Sequence, residues 1–395
     1  RVPRSAPGSA RPMSSAATLT LAGDTTSYVS GAVTVTNLVI EGGAVVKFTN
    51  SPAAGLTVNG PISTRTGPFR LAIFTAKDDS SVGEPLPGAT GNPTGTYYGA
   101  PMLRVQAAAS TLRWLRFSHA AEALRYEPAS SHELEHAQFV RCARAVIAPY
   151  AGLELRNALI HQATVALDAA GQPASIRAQH VTFSQVSTGL LSTTYTGVLY
   201  ATNCVFAQVG TVAGGGLASA AGSHNGFSGT AAFGGGAVTL GASPFETAGL
   251  GAHYLAYGSA AYDAGSAAIT PSLLTALASL TCRAPVEVTT NFTANVTLAP
   301  WAWRDTNAPD LGYHYAPLDY LWTGRELTNA TLTLTQGVGV GLYGVKGLTL
   351  RKGGVLRSEG AATALNRLTR VHLVQEQWAP TNSLWGTNAA SLSLL

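Results

Sequence analysis

Charge is scarce in this chain. Only 11% of its residues are Asp, Glu, Lys or Arg, under half the roughly 25% of an average soluble domain. The net charge of +4 is spread along the sequence with no run of Lys and Arg, so the basic balance leaves no electrostatic footprint for nucleic acid or an anionic membrane. Between Ala169 and Phe245 there is no acidic residue at all, which removes from that stretch the carboxylate pairs that glycoside hydrolysis requires. No stretch comes near the ~18 uninterrupted apolar residues of a membrane-spanning helix. The cysteines are odd in number and far apart, Cys142, Cys204 and Cys282, a pattern that offers no disulfide framework and reads as buried small hydrophobes. The opening RVPRSAPGSARP lacks the apolar core of a signal peptide and reads, through residue 17, as a linker or processed end.

What the chain does have is glycine, 43 of them, many hydroxyl side chains and a repeat. A large apolar position recurs at Phe117, Phe139, Ile160, Phe183 and Phe206, at intervals of 22, 21, 23 and 23 residues. Two positions earlier stand Leu115, Ala137, Ala158, Val181 and Cys204, and three before those Leu112, Leu134, Leu155, Ala178 and Ala201. A short period means one structural unit per repeat, each stacked on the next to bury its apolar face. A third strand is expected around Leu124, Val146, Leu167 and Leu190. Three short strands per turn of about 22 residues predict an all-β parallel β-helix, each strand paired with its counterpart ~4.8 Å along the axis. The register also stacks opposite charges across coils, Arg113 on Glu135 on Arg156 and Glu154 on Arg177, each pair contributing about 0.2 to 1 kcal/mol.

In chain order, the solenoid is expected to occupy 18–322, with a Gly- and Pro-rich excursion at 77–101 and an irregular closing region at 213–322. Within that region PSLLTALASL (Pro271 to Leu280) has the pattern of a short helix. From 323 to 395 the chain begins again: GLTLRKGGVLRS at Gly347 matches NLVIEGGAVVKF at Asn37 in length and in its Gly-Gly position. The end, SLSLL, stops in strand pattern, which is the expectation for a section of a longer chain or a unit of an assembly.

An Asn or His precedes the second strand of successive repeats, at His136, Asn157, His180 and Asn203. With these residues the coils resemble the right-handed parallel β-helix of pectate-lyase-like proteins, in which an Asn ladder occupies that turn. AAYDAGS (Ala260 to Ser266) resembles the SPAIDAGS run of bacterial β-helix modules, while FTAKDDSSVGE and DLGYHYAPLDYLW are similar to segments of large multi-module secreted proteins. The resemblance implies a secreted or cell-surface protein. Its motifs mark architecture rather than activity.

Chemistry is confined to a few places. Glu133 and Glu154 are the best carboxylate pair by column, yet each has an Arg neighbour and reads as a charge ladder. Asp78, Asp79 and Glu84 are hard oxygen ligands in one loop, suited to Ca²⁺, the single cofactor the sequence suggests; a solvated acidic turn is the alternative. Tyr97 and Tyr98 in that loop, and Trp301, Trp303, Tyr313, Tyr315, Tyr320 and Trp322 further on, present flat rings for sugar faces, or else close the solenoid as a cap. The expected function is an extracellular structural or adhesive protein, as in a section or subunit of a surface fibre or filament, whose partners are copies of itself, further modules or polysaccharide. The alternative is a carbohydrate-active enzyme or carbohydrate-binding module.

Overall fold

The computed structural model describes residues 11–127, 130–148, 152–169, 171, 174–344 and 346–379. The chain winds into a parallel β-solenoid of about 15 turns with about 23 residues per turn and almost no helix. One wall is a 15-stranded sheet running from the first coils to about residue 239, and the other a 10-stranded sheet that ends at about residue 214. The three sequence columns are its pairing register. Phe117 sits beside Phe74 and Phe139, Ile160 beside Phe183, Phe183 beside Phe206 and Phe206 beside Phe227. Leu112 pairs with Leu134 and Leu155 with Ala178, and Leu124, Val146, Leu167 and Leu190 run down the opposite wall.

Inward-pointing residues recur every second position in a strand. Stacking the same column therefore builds a continuous core, which extends from Leu21 to Phe227. Aromatic rings in it lie face to face: Phe74 and Phe117 have centroids 4.8 Å apart, Phe117 and Phe139 5.3 Å, and Phe183 and Phe206 4.8 Å. Cys142 and Cys204 are fully buried in this core as free thiols. At its narrow end the Leu112 column reaches Gly222, φ +138°, where a Cβ would stand only 1.8 Å from the Ala201 carbonyl oxygen.

Two columns of left-handed residues turn the chain between strands. The first, Trp114, His136, Asn157, His180, Asn203 and His224, has φ between 48° and 56°. Asn and His tolerate this region better than most side chains. The second column is His119, Arg141, Gln162, Gln185 and Gln208, with φ between 54° and 58°.

Several boundaries differ from expectation. Strands begin at Arg11–Pro12 and Ala16–Leu21, inside the segment expected to be a linker; residues 1–10 lie outside the described residues, as does the SLSLL end. The region expected to close the solenoid first adds the strands Thr211–Gly214, Ala218–Ser223, Gly226–Ser228 and Val238–Thr239. The chain then leaves the stack through the hairpin Phe245–Ala248 and Gly251–Leu255 and the helix Pro271–Leu277. A second, smaller run of parallel strands starts at Val286–Glu287 and Val296–Leu298, ahead of residue 323, and continues through Arg367–Arg370.

The returning chain lies against the outer face of the larger sheet. That face carries Ile73, Arg116, Gln138, Leu159, Thr182 and Val205 in one outward column, a mixture of apolar and hydrogen-bonding groups that water alone would leave partly unsatisfied. Leu159 packs in a cluster with Tyr254, Tyr313 and Tyr315. The Arg116 guanidinium donates to the His372 carbonyl at 2.7 Å, and the Gln138 amide donates to Tyr313 Oη and the Val374 carbonyl, each at 2.8 Å.

Candidate functional site

The charge ladder forms as the columns require. Glu135 accepts from Arg113 at 2.6 Å and from Arg156 at 2.9 Å. Arg156 also lies 3.5 Å from Glu133 and 3.7 Å from Glu154, and Arg177 lies 3.6 Å from Glu154. Guanidinium groups thus stand between the two carboxylates of the candidate pair, and neither is placed to carry a proton for a substrate.

The acidic loop is a structured element. The Asp79 carboxylate accepts hydrogen bonds from the Thr75 hydroxyl and from the hydroxyl and N–H of Ser81. Asp78 accepts from Tyr98 Oη at 2.7 Å, Thr90 N at 2.8 Å and Lys77 Nζ at 3.1 Å. Burial alone would raise the Asp78 carboxyl, and against it these donors, Tyr98 first, hold it below its ordinary value. Among the described residues Asp78, Asp79 and Glu84 do not converge as a metal cluster. Besides Lys77, the loop holds the ammonium of Lys47, from the solenoid wall, which donates to the Asp79 and Glu84 carbonyls at 2.8 and 2.7 Å.

Burial pushes Lys47 down to about 8, against the raising effect of Asp79 and Glu84. From about pH 8 up to the 10.5 of a free lysine, the unfolded chain therefore binds the extra proton, and stability rises with pH through that window. The buried cysteines, pushed up from 9, act in the opposite direction above pH 9, so the Lys47 contribution is read as a difference: denaturation midpoints of the wild type should climb relative to those of Lys47→Met across the window.

The aromatic candidates separate by exposure. Tyr98, Tyr315 and Trp322 are 3%, 0% and 0% exposed, so none offers a ring to a ligand: Tyr98 anchors the loop, Tyr315 belongs to the cover over the sheet, and Trp322 fills the core of the second solenoid. Tyr97, Trp301 and Trp303 are 44%, 47% and 74% exposed. Arg283 lies against both tryptophans, 5.6 Å from the Trp301 centroid and 4.0 Å from that of Trp303, a cation–π arrangement that occupies one face of each ring.

In the first turn column asparagine side chains bond to the histidines. Asn157 accepts from the His314 N–H through Oδ1 at 2.7 Å, so its Nδ2 donates, to the His314 carbonyl and to His136 Nδ1, each at 2.9 Å. Asn203 in the same way bonds both ways with Ser266 and donates to His180 Nε2 at 2.9 Å. One ring nitrogen of each histidine accepts from an asparagine here, and the ring of His180 also interacts with the backbone of Asp310 and Gly312. Burial, with lesser contributions from Arg113 and His314, pushes His136 down to about 3 and keeps it neutral for that role.

The second turn column was missed in the sequence, because His, Arg and Gln share no chemistry, only a backbone conformation. It forms the floor of a cleft of about 270 Å³, lined by His119, Arg141 and Gln162 and roofed by Thr94 to Tyr97 of the loop. Arg141 Nε donates to Gln162 Oε1 at 2.9 Å, and Gln162 Nε2 donates to Gln185 Oε1 at 3.0 Å. The line of amides continues to the exposed Gln208. Arg141 also lies 6.0 Å from the Trp378 ring centroid, and its Nη1 has no partner among the described residues. Burial brings His119 to about 4, with Asp79 raising and Arg141 lowering it, so it stays neutral at pH 7.

No family model matches this chain, and searches of curated proteins and of solved structures return no match. The reading of the site therefore rests on its geometry. The cleft is lined by Tyr97, an imidazole, a guanidinium and the amide of Gln162, and beyond it Gln185 and Gln208 continue the column at coil spacing, ~4.8 Å. Such a set can stack and hydrogen-bond, and no carboxylate lines it.

Proposed function

We propose that this chain is a non-catalytic β-solenoid module acting outside the cell as a structural and adhesive element, with an extended glycan as its ligand. The observation that carries the reading is the cleft under Tyr97, open to a row of amides along the coil axis. Sugars present hydroxyls at near-regular intervals and a flat apolar face, which amides and a tyrosine ring complement. The neutral, hydroxyl-rich composition and the neutralised carboxylates support binding over turnover.

The test is affinity electrophoresis of the protein through gels containing neutral or uronate polysaccharides, with reducing-end release assayed in parallel. Retardation without depolymerisation is expected. Tyr97→Ala and Gln162→Ala should each weaken binding about tenfold, the range of a moderate interface residue. Absence of retardation by every polymer tried would sink the adhesive reading, and depolymerisation would establish an enzyme in its place.

A further inference from the structure

Cys282 and the stretch carrying Asp310 and His314 meet in the returning segment, and each of the three residues offers a ligand atom within 4.8 Å of the others. Cys282 is 1% exposed, His314 0% and Asp310 8%. A fourth donor stands with them. Asp305 Oδ2 lies 2.8 Å from His314 Nε2 and accepts from the Asp310 N–H at 2.9 Å. That carboxylate is therefore fixed between two members of the group. Its side chain is 2% exposed, and its Oδ1 has no partner among the described residues.

A buried carboxylate oxygen without a donor costs free energy of about 1 to 3 kcal/mol or more, and a thiol, an imidazole and two carboxylates gathered away from water make a donor set that one cation would complete. We propose that Cys282, Asp305, Asp310 and His314 form a closed binding site for a divalent transition-metal ion, with Zn²⁺ as the fitting species. Sulfur, nitrogen and oxygen donors together suit this borderline ion, which sits ~2.3 Å from sulfur and ~2.0 to 2.2 Å from nitrogen and oxygen. Tetrahedral bonds of those lengths separate donors by roughly 3.3 to 3.7 Å, so Cys282, Asp310 and His314 draw together on binding while Asp305 gives up its 2.8 Å hydrogen bond to His314 Nε2 and moves slightly away from it. His314 is already oriented: its Nδ1 lies 3.0 Å from the Gly312 carbonyl, which leaves Nε2 as the ligating atom, the usual outer arrangement for a metal-bound histidine. The N–H of Asp263 bonds Asp310 Oδ1 at 2.9 Å and holds that carboxylate in the same manner.

The place of the site gives it a structural role. The main chain of His314 is bonded to Asn157 of the first turn ladder, and Gly312 N to the Asn203 carbonyl. An ion joining Cys282 to this stretch would lock the returning segment onto the solenoid, through four ligands and without an open position for a substrate.

The decisive experiment titrates the chelator-treated full chain with ZnCl₂ by calorimetry and, in parallel, with CoCl₂ by absorption spectroscopy. One zinc per chain is expected, together with a thiolate-to-cobalt charge-transfer band. At zinc a hundredfold above Kd the unfolded fraction should fall about a hundredfold. Cys282→Ser should remove the cobalt band and weaken zinc binding at least tenfold, and Asp305→Asn should weaken it about 10- to 100-fold, while Cys142→Ser and Cys204→Ser leave both readouts unchanged. Because the cobalt band is read on the wild-type chain, its absence overturns the proposal whether or not the variants fold. Zinc uptake that survives Cys282→Ser undiminished would overturn it as well.

Discussion

Phe206→Ala destabilises the solenoid by about 3 to 5 kcal/mol, the upper range for a large-to-small change in a packed core. The ring is fully buried and touches three others: Phe183 at 4.8 Å and Phe227 at 5.6 Å face to face, and Phe233 at 5.2 Å edge-on. Its removal loses transfer free energy and leaves a hole that neighbouring coils cannot close, since their spacing is set by backbone pairing. In a solenoid, stability is close to a sum of unit and neighbour terms. Loss of hydrogen-exchange protection should accordingly concentrate in the strands Ala174–Ser184, Val205–Ala207 and Gly226–Ser228. A urea midpoint shift equivalent to less than about 1 kcal/mol would mean that the ring stack is not a principal contributor to the core.

Glu376→Ala is the second large effect, about 3 to 5 kcal/mol, as for removal of one partner from a buried charged network. The carboxylate is fully buried and accepts from His253 Nδ1, the Ala252 N–H, Gln377 Nε2 and Tyr315 Oη at 2.8 to 3.0 Å. Arg116, His161, Tyr254 and Tyr313 also face it. Burial by itself would raise this carboxyl, and against it the hydrogen bond and charge of His253, then Gln377 and the Ala252 N–H, bring it from the ordinary 4.5 down to about 2. The folded group binds its proton less readily than the unfolded one. Its contribution is therefore complete above about pH 4.5 and is lost as the pH falls through about 2. Glu376→Gln should flatten that part of the acid-denaturation profile, with the deficit at neutral pH seen as faster exchange in Gly251–Leu255 and in 371–379. An unchanged acid profile would show that another carboxylate governs it.

The solenoid was legible because its columns repeat both size and polarity: Phe117, Phe139, Ile160 and Phe183 cannot fall every 21 to 23 residues without sharing a wall. The charge ladder followed from the same register, and Arg113, Glu135 and Arg156 meet as the columns place them. What was illegible depends on contacts between distant parts of the chain. Lys47 reads as an ordinary strand residue until the loop wraps its ammonium, and only then does the loop lose its appearance as a calcium site. Tyr315 and Trp322 read equally as sugar-binding rings or as a cap, because nothing local says that Leu159 needs cover or that a second core begins at Val286. Cys282 stands 28 residues from Asp310, a separation that matches no short ligand motif, and it passes for a small hydrophobe until the fold brings His314 beside it. The cleft floor was hidden for a different reason, since Arg141 and Gln162 are related by a φ angle that no composition reveals.

The returning segment also alters how the rod should respond to load. Within the stack, neighbouring coils are held by parallel strands and by side-chain ladders between adjacent turns, and tension along the axis would part them one interface at a time. Outside it, the Thr369 hydroxyl bonds the Phe69 carbonyl, His372 takes Arg116, Val374 takes Gln138, His314 takes Asn157, Tyr313 takes Thr182 and Ser266 takes Asn203. These attachments fall on successive coils, so the segment acts as an external brace. Pulled lengthwise, the coils cannot separate until the brace is sheared off, and the protein should yield in one high-force event rather than unzip turn by turn.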